Sequence, residues 1–443
     1  VYQNVHQFYT RRQFQPAWFN ESGFSDAAYN FSNLIHDFQS HIGDPGVSPS
    51  DLVQMIDSFK TLEKLNRLDP ELVLNLEMEL TLSFFRFAQR AYQGIGKNPR
   101  DLEWYIPRKK KDFKLMLDAI ISGHKELTSF EPVNSIYQKL KSQLIKIQSN
   151  ASKIDSLASA LSFSQCTDSL MDQDSSLWLN FLTTTGDATT SGRKNPDWKI
   201  QVREGLRSYQ ARHGLVRSGK PDHPTLSFIL TPVEQYLHKI LINMERLRWM
   251  PESGFRDMIV VNIPEFRLKL YADSSQIWSC KVVVGDAAHR TQIFSGDINE
   301  IVFNPYWMVP SSIAIQEMLP KLKADARYLE KNNLELLSGT HIISPKGINW
   351  SRYTDHIPYQ IRQKPGPDNS LGLVKFLFPN SFSIYLHDTP AKELFSENRR
   401  DFSHGCIRVS EPFKLAECIL KRDGNPLSSK VKNMVNKGTE RRI

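Results

Sequence analysis

Tyr385-Leu386-His387-Asp388-Thr389-Pro390 carries an imidazole, and after a spacer of fifteen residues Ser403-His404-Gly405-Cys406-Ile407-Arg408-Val409 carries a thiol. The run up to His387 is apolar and strand-like, so Tyr385 and His387 point to one face. An extended segment after Cys406 would put Arg408 on the face of Cys406. Cysteine is a good nucleophile, yet a pKa of about 8.5 leaves little thiolate at neutral pH. A nearby histidine corrects this by forming a thiolate–imidazolium pair. Gly405 lets the backbone approach a substrate closely, so main-chain N–H groups there suit a developing oxyanion. A nucleophile, a base and oxyanion donors together are what acyl transfer requires.

The sequence around these segments is short-period and β-rich. Met258–Ile263, Arg267–Tyr271, Ile277–Val284, Glu300–Phe303 and Ser381–His387 are β-branched or alternating runs separated by turns, with Ala272-Asp273-Ser274-Ser275 as a hairpin connection. One helical interruption is expected over 313–337, followed by loop up to Gly372. Such an insertion beside a site is a candidate lid. Residues 255–425 therefore read as one β-rich domain with a helical lid insertion at about 313–372. Lys421 to Arg442 adds a polar, basic tail over 426–443.

The first half is helical. Apolar residues recur at three- and four-residue spacings over 25–41, 71–94, 136–147 and 154–161. Turn-rich stretches such as Gly43-Asp44-Pro45-Gly46 separate them. This half holds no charged or thiol cluster with catalytic spacing, and 1–182 reads as a helical scaffold on which the helix at 233–250 packs. From Thr183 to Pro196 the chain is small and polar (Thr183-Thr184-Thr185-Gly186, Ser191-Gly192-Arg193) and reads as a loop or linker. Then Leu206-x-x-Tyr209-Gln210-x-x-His213-Gly214-Leu215, Gly219 and Thr225-Leu226 outline a helix, a glycine turn and a second helix.

The His387 to Cys406 pattern resembles the signature of the YkuD-type L,D-transpeptidase catalytic domain: a His, a spacer of this length, then Ser/Thr-His-Gly-Cys. Val284-Gly285, Phe303-Asn304-Pro305-Tyr306-Trp307 and Phe376-Leu377-Phe378-Pro379-Asn380 resemble the larger, multidomain branch of that family. Residues 197–232 resemble its small three-helix peptidoglycan-binding module. The resemblance implies an α+β multidomain chain: helical scaffold, binding module and β-rich catalytic domain. It implies Cys406 as nucleophile and His387 as base, with Gly405 and His404 around the oxyanion, although His404 serves equally as loop packing. Arg408, Tyr385 and Ser403 would meet substrate, Ser403 chiefly through hydrogen bonds within its turn. Arg408 stands where simpler members carry Asn. Trp307 and Tyr306 line a donor groove or pack in a core.

The implied reaction takes a tetrapeptide stem of peptidoglycan, releases D-alanine and passes the acyl group from a Cys406 thioester to a stem amine, giving a 3→3 cross-link. The same thioester with water or a protein lysine as acceptor gives a carboxypeptidase or a lipoprotein-attaching enzyme. A non-catalytic wall-binding scaffold is the rival of another class. A papain-like peptidase runs Cys before His, against the order here. Carbapenem β-lactams are implied as inhibitors that acylate Cys406, and no metal or organic cofactor is required.

Composition bounds the remainder. A chain of 443 residues predicts two or three domains. Its net charge of +8 favours anionic partners. No zinc spacing, RNP-type motif or P-loop accompanies that charge, so nucleic acid is not expected. The run Arg108-Lys109-Lys110-Lys111 reads as a solvated face. Cys280 and Cys418 fit small buried hydrophobes, Cys166 fits no defined role, and none of the four cysteines forms a CxxC pair. No apolar run reaches the roughly 18–20 residues of a spanning helix. The chain opens at Val1-Tyr2-Gln3 without a signal-peptide core, as fits an intracellular protein or one beginning after a removed export signal. The implied substrate favours a periplasmic or other extracytoplasmic location.

Overall fold

The computed structural model describes residues 1–21, 23–43, 52–64, 69–107, 111–123, 135–162, 175–189, 198–250, 257–273, 275–325 and 327–443. Cys166, the run 108–110, the turn after Gly43, residues 190–196 of the expected linker and Ser274 lie outside the described residues; Thr183–Thr185, expected to open that linker, instead end a helix. The chain divides into a helical unit of residues 1–102 and 106–254, and a β-rich unit of residues 103–105 and 255–443.

The helical unit contains α1 (Tyr2–Arg11), the small hairpin β1 (Phe19–Asn20) and β2 (Gly23–Phe24), α2 (Asp26–Ile42), α3 (Leu52–Lys64), α4 (Pro70–Ala88) and α5 (Phe113–Ile121). Ser25 caps α2 by accepting from the Ala28 N–H, and Gly43 ends it in the left-handed conformation. These elements enclose a core rich in aromatic rings, with Trp18 stacked on Phe31 at 5.1 Å between centroids. One carboxylate is buried there. Glu77 accepts from the Ala17 and Trp18 N–H groups and the Tyr9 hydroxyl, so its burial is compensated.

Further along lie α6 (Ser135–Gln148), α7 (Ala151–Ser162), α8 (Ser175–Thr185), α9 (Trp198–Arg212), α10 (His223–Ile229) and α11 (Val233–Arg248). Tyr137 and Leu144 of α6 meet Met244 of α11 in one small core. Leu161 of α7 and Trp178, Phe181 and Leu182 of α8 are buried with Val202, Leu206 and Tyr209 of α9 and Ile229 of α10 in another. This corrects the expected division in which 1–182 is all scaffold. The segment 197–232 supplies two helices, and its apolar faces are covered by α7 and α8. Inside it Gln210 is buried, donating to Ser218, Thr225 and the Lys220 carbonyl and accepting from the Gly219 N–H.

The β-rich unit is built on a nine-stranded mixed sheet. Its strands are β4 (Met258–Asn262), β5 (Arg267–Ala272), β6 (Ser275–Gly285), β8 (Glu300–Phe303), β13 (Val374–Leu377), β14 (Leu386–His387), β15 (Asp401–Ser403), β16 (Ile407–Val409) and β17 (Arg441–Arg442), in the order β17-β8-β13-β14-β16-β6-β5-β4 with β15 beside β6. A separate pair joins β3 (Trp104–Tyr105) to β7 (Ile293–Phe294). Ala272 pairs with Ser275, the expected two-residue hairpin. Helices α15 (Pro412–Arg422) and α16 (Val431–Asn436) pack Leu415, Leu420, Val431 and Met434 onto Val282, Val284, Phe303 and Phe376.

Three expectations are corrected here. Residues 426–443 are not a tail: α16 enters the core, and β17 pairs with β8. The strand expected over 381–387 shrinks to Leu386–His387. Asn380 organises a turn before it, bonding Phe378, Phe382 and Ile384 backbone groups, while Ser383 takes φ 56°. The insertion is an α/β body rather than helix and loop. After α12 (Ser311–Ile313), a π-helical turn (Ala314–Met318), α13 (Leu319–Ala324) and α14 (Tyr328–Lys331), the chain makes β10 (Leu334–Ser338), β11 (His341–Ile343) and β12 (Gln360–Gln363). These form a sheet ordered β11-β10-β12-β9, whose last strand is β9 (Trp307–Met308). Leu334, Leu336, Trp350 and Ile361 give this body its own core. Among the described residues, no helix is long and apolar enough to cross a membrane.

Candidate active site

Strands β14 and β16 run parallel, with Leu386 opposite Ile407 and His387 opposite Arg408. The Ile407 N–H donates to the Tyr385 carbonyl at 3.1 Å, which sets Tyr385 beside Cys406. Because side chains alternate, Tyr385, His387, Cys406 and Arg408 share one face of the sheet. The convergence expected from the sequence is therefore present.

Cys406 is free, as are Cys280 and Cys418. Its Sγ donates to the Ser383 carbonyl at 3.6 Å. Burial pushes the thiol pKa up; the Tyr385 N–H and phenol, with Arg408, pull in the opposite direction without cancelling it. The phenol in turn accepts from the Trp307 indole, and burial beside Cys406 raises its own pKa well above the usual range. Trp307 packs against the insertion core and also hydrogen-bonds Tyr385.

His387 is buried, and its imidazole pKa is pushed down to about 3, first by burial and then by Arg408. Its Nδ1 meets the Asp388 carbonyl at 2.5 Å, and the Leu371 carbonyl also hydrogen-bonds the ring. Cys406 is not among its hydrogen-bond partners; the ring packs edge-on to Tyr385 at 5.6 Å between centroids. The resting pair is therefore a thiol and a neutral imidazole, not the thiolate–imidazolium pair anticipated. The Asp388 carboxylate accepts from the Leu373 N–H at 2.9 Å and from Lys392, fixing the loop that supplies the Leu371 carbonyl.

Arg408 stands opposite His387 on this face. Its Nε is buried without a hydrogen-bond partner, and no carboxylate pairs with its guanidinium among the described residues. Leaving such a donor unsatisfied costs about 1–3 kcal/mol, which favours a site that completes itself with an anionic ligand.

The nucleophile turn is held from within and from behind. Gly405 has φ 107°, a conformation open mainly to glycine, and its N–H donates to Ser403 Oγ at 3.1 Å. Ser403 Oγ donates to the Cys406 carbonyl at 2.6 Å, so it acts within the turn. The Gly405 N–H is thereby engaged, which corrects its expected availability to an oxyanion. His404 lies within 3.2 Å of Glu317 in the π-helical turn, and its ring meets that of His289, which Asp286 holds. Tyr306 instead sits under the Arg362 guanidinium at 4.4 Å and donates its N–H to Glu440. Thr291, Asp388, Glu317 and His289 were not marked by the sequence. Only the neighbouring His387 hinted at Asp388. Among the described residues, no cluster of His, Cys, Asp and Glu is arranged to hold a metal ion.

Residues 256–432 match the family described as the L,D-transpeptidase catalytic domain, and residues 3–144 match a family described as a scaffold domain. A Haemophilus influenzae protein provisionally named an L,D-transpeptidase is 37% identical over 199 residues, covering 44% of this chain and 40% of that protein. The matched stretch therefore spans less than half of that relative. The chain carries an N-terminal scaffold-like domain followed by a YkuD-type L,D-transpeptidase catalytic domain.

Proposed function

We propose that this protein is a cysteine L,D-transpeptidase acting on peptidoglycan stems outside the cytoplasm. The observation that carries the reading is the shared face of Tyr385, His387, Cys406 and Arg408, with the Arg408 Nε buried and without a hydrogen-bond partner among the described residues. Arg408 would take a substrate carboxylate through its fixed fork. Cys406 Sγ attacks the carbonyl preceding the terminal D-alanine of a tetrapeptide, and the carbonyl π pair moves onto oxygen. The thiol proton passes to His387, which is neutral and so able to accept it. Collapse of the intermediate breaks the C–N bond, the departing D-alanine amine takes that proton, and a thioester remains. A neighbouring stem amine then attacks the thioester and gives a proton to His387; the C–S bond breaks, His387 returns that proton to sulfur, and Cys406 is restored as a thiol while the 3→3 cross-linked product leaves.

The 197–232 helices, with a local charge of +3 from five basic and two acidic residues over 202–230, would contact the carboxylate-bearing polymer. In this reading the helical region before them is the scaffold, and the insertion at about 313–372 lies over the donor stem. No cofactor takes part in the mechanism. Carbapenems would be trapped by the same thiol.

Intact-mass analysis of wild type and Cys406→Ala tests this, after incubation with a carbapenem or, separately, with disaccharide-tetrapeptide. One adduct on wild type alone, with D-alanine released, is the expected result. An unmodified wild type that releases no D-alanine would sink the reading. Product analysis on muropeptides separates a stem amine acceptor from water.

A further inference from the structure

Thr291 is buried behind the nucleophile turn, 114 residues from Gly405 in sequence. The Gly285 N–H donates to Thr291 Oγ1 at 2.9 Å, and Thr291 Oγ1 donates to the Gly405 carbonyl at 2.8 Å. The direction of this chain is fixed, because an N–H has no choice but to donate and the hydroxyl proton is then left for the carbonyl. In a planar trans peptide the C=O and N–H point in opposite directions. Anchoring the Gly405 carbonyl on Thr291 therefore turns the Cys406 N–H away from the 285–291 loop. Among the described residues, nothing accepts from that N–H, whereas the Gly405 N–H is spent on Ser403 and the Ile407 N–H on Tyr385. Gly285 completes the arrangement: a Cβ there would collide with the His289 carbonyl and lie 3.0 Å from Gly405 Cα.

We propose that Thr291 is a positioning residue for the acylation step, holding the Gly405–Cys406 peptide so that the nucleophile's own N–H receives the developing oxyanion. This rests on the acyl-transfer reading of Cys406. The oxyanion forms on the attacked carbonyl as the C–S bond is made, and the N–H stabilises it without transferring a proton.

The test uses the full chain with Thr291→Val, Thr291→Ala and Thr291→Ser. Two rates are compared: acylation by a carbapenem, which passes through an oxyanion, and alkylation by iodoacetamide, which needs only the thiol. Loss of one oxyanion donor slows acylation by about 10²-fold. Thr291→Val is expected to show a loss of that order with its alkylation rate within about two-fold of wild type, and Thr291→Ser to recover acylation to within a few-fold. Thr291→Ala carries the same comparison if the valine variant folds poorly by circular dichroism. Acylation at the wild-type rate in the valine or alanine variant would overturn the proposal. So would acylation and alkylation falling together, which marks a displaced thiol. If wild type itself alkylates yet is never acylated, the acyl-transfer reading fails first, and the two failures are told apart.

Discussion

His387 stands directly opposite Arg408 in the parallel pairing of β14 and β16, and that guanidinium is, after burial itself, the strongest influence keeping the imidazole uncharged. The folded pKa of about 3 lies below the unfolded value near 6.5. Between those values the unfolded chain binds the extra proton, so the β-rich unit loses stability as pH falls from about 6.5 toward 3. The slope from this one group is at most about 1.4 kcal/mol per pH unit. Denaturant titrations from pH 7 to 4 should show His387→Gln flatter than wild type; equal slopes would refute the assignment. His213 in the helical unit is shifted the same way, to about 4, so His213→Gln serves as the parallel control.

Burial raises the Cys406 thiol while Arg408 lowers it. The rate of iodoacetamide alkylation should go on climbing above pH 8.5 or so, where an ordinary thiol levels off. Arg408→Gln should move the profile further to the alkaline side. A plateau near neutral pH would instead indicate a preformed ion pair.

Tyr385 gives Cys406 both its N–H and its phenol. Tyr385→Phe keeps the backbone donor and the ring but removes the phenol's hydrogen bond to the thiol, worth about 0.5–1.5 kcal/mol, along with the one it accepts from Trp307. Carbapenem acylation should slow by roughly 3–10-fold with the fold intact. A variant as fast as wild type would show that the phenol only fills space.

Residues 437–443 are structural. Ile443 exchanges two backbone hydrogen bonds with Ile301, and Asn304 donates to the Met434, Val435 and Thr439 carbonyls. Deleting 437–443 should lower the melting temperature by at least about 5 °C. An unchanged melting curve would restore the view of this segment as a tail.

Deleting 200–232 to test wall binding would strip cover from Trp178, Phe181 and Leu182, which share a core with α9. Charge reversal at the surface is cleaner. Arg203→Glu with Arg217→Glu should weaken sacculus binding several-fold and more strongly at low salt, since screening grows with ionic strength. Binding that ignores both the substitutions and salt would remove the role assigned to these helices.

Much of this was legible in the chain. Strand alternation and the His387 to Cys406 spacing identified the two segments that meet, and apolar periodicity located α2, α4, α6 and α7 closely. The misses have physical causes. Residues 334–337 looked helical because a short apolar run has no period of its own, and tertiary pairing with β12 made it a strand. The basic 426–443 segment concealed Val431 and Met434, whose burial depends on a sheet formed far upstream. Thr291 was invisible for a like reason: an isolated threonine acquires meaning only when a strand crossing brings Gly405 to it. The sequence also could not show that burial would override the expected charge separation at His387 and Cys406.

That uncharged resting state bears on the chemical longevity of the thiol. Peroxide and disulfide exchange attack through the thiolate, and so does adventitious electrophile damage. A cysteine kept protonated between turnovers presents little of the vulnerable species to oxidants. Reactivity would then depend on transfer of the thiol proton to His387 during attack, which a stem carboxylate placed on Arg408 would ease by weakening the charge that opposes protonation of the imidazole. The same burial that slows indiscriminate chemistry would leave the enzyme fit for its next cycle.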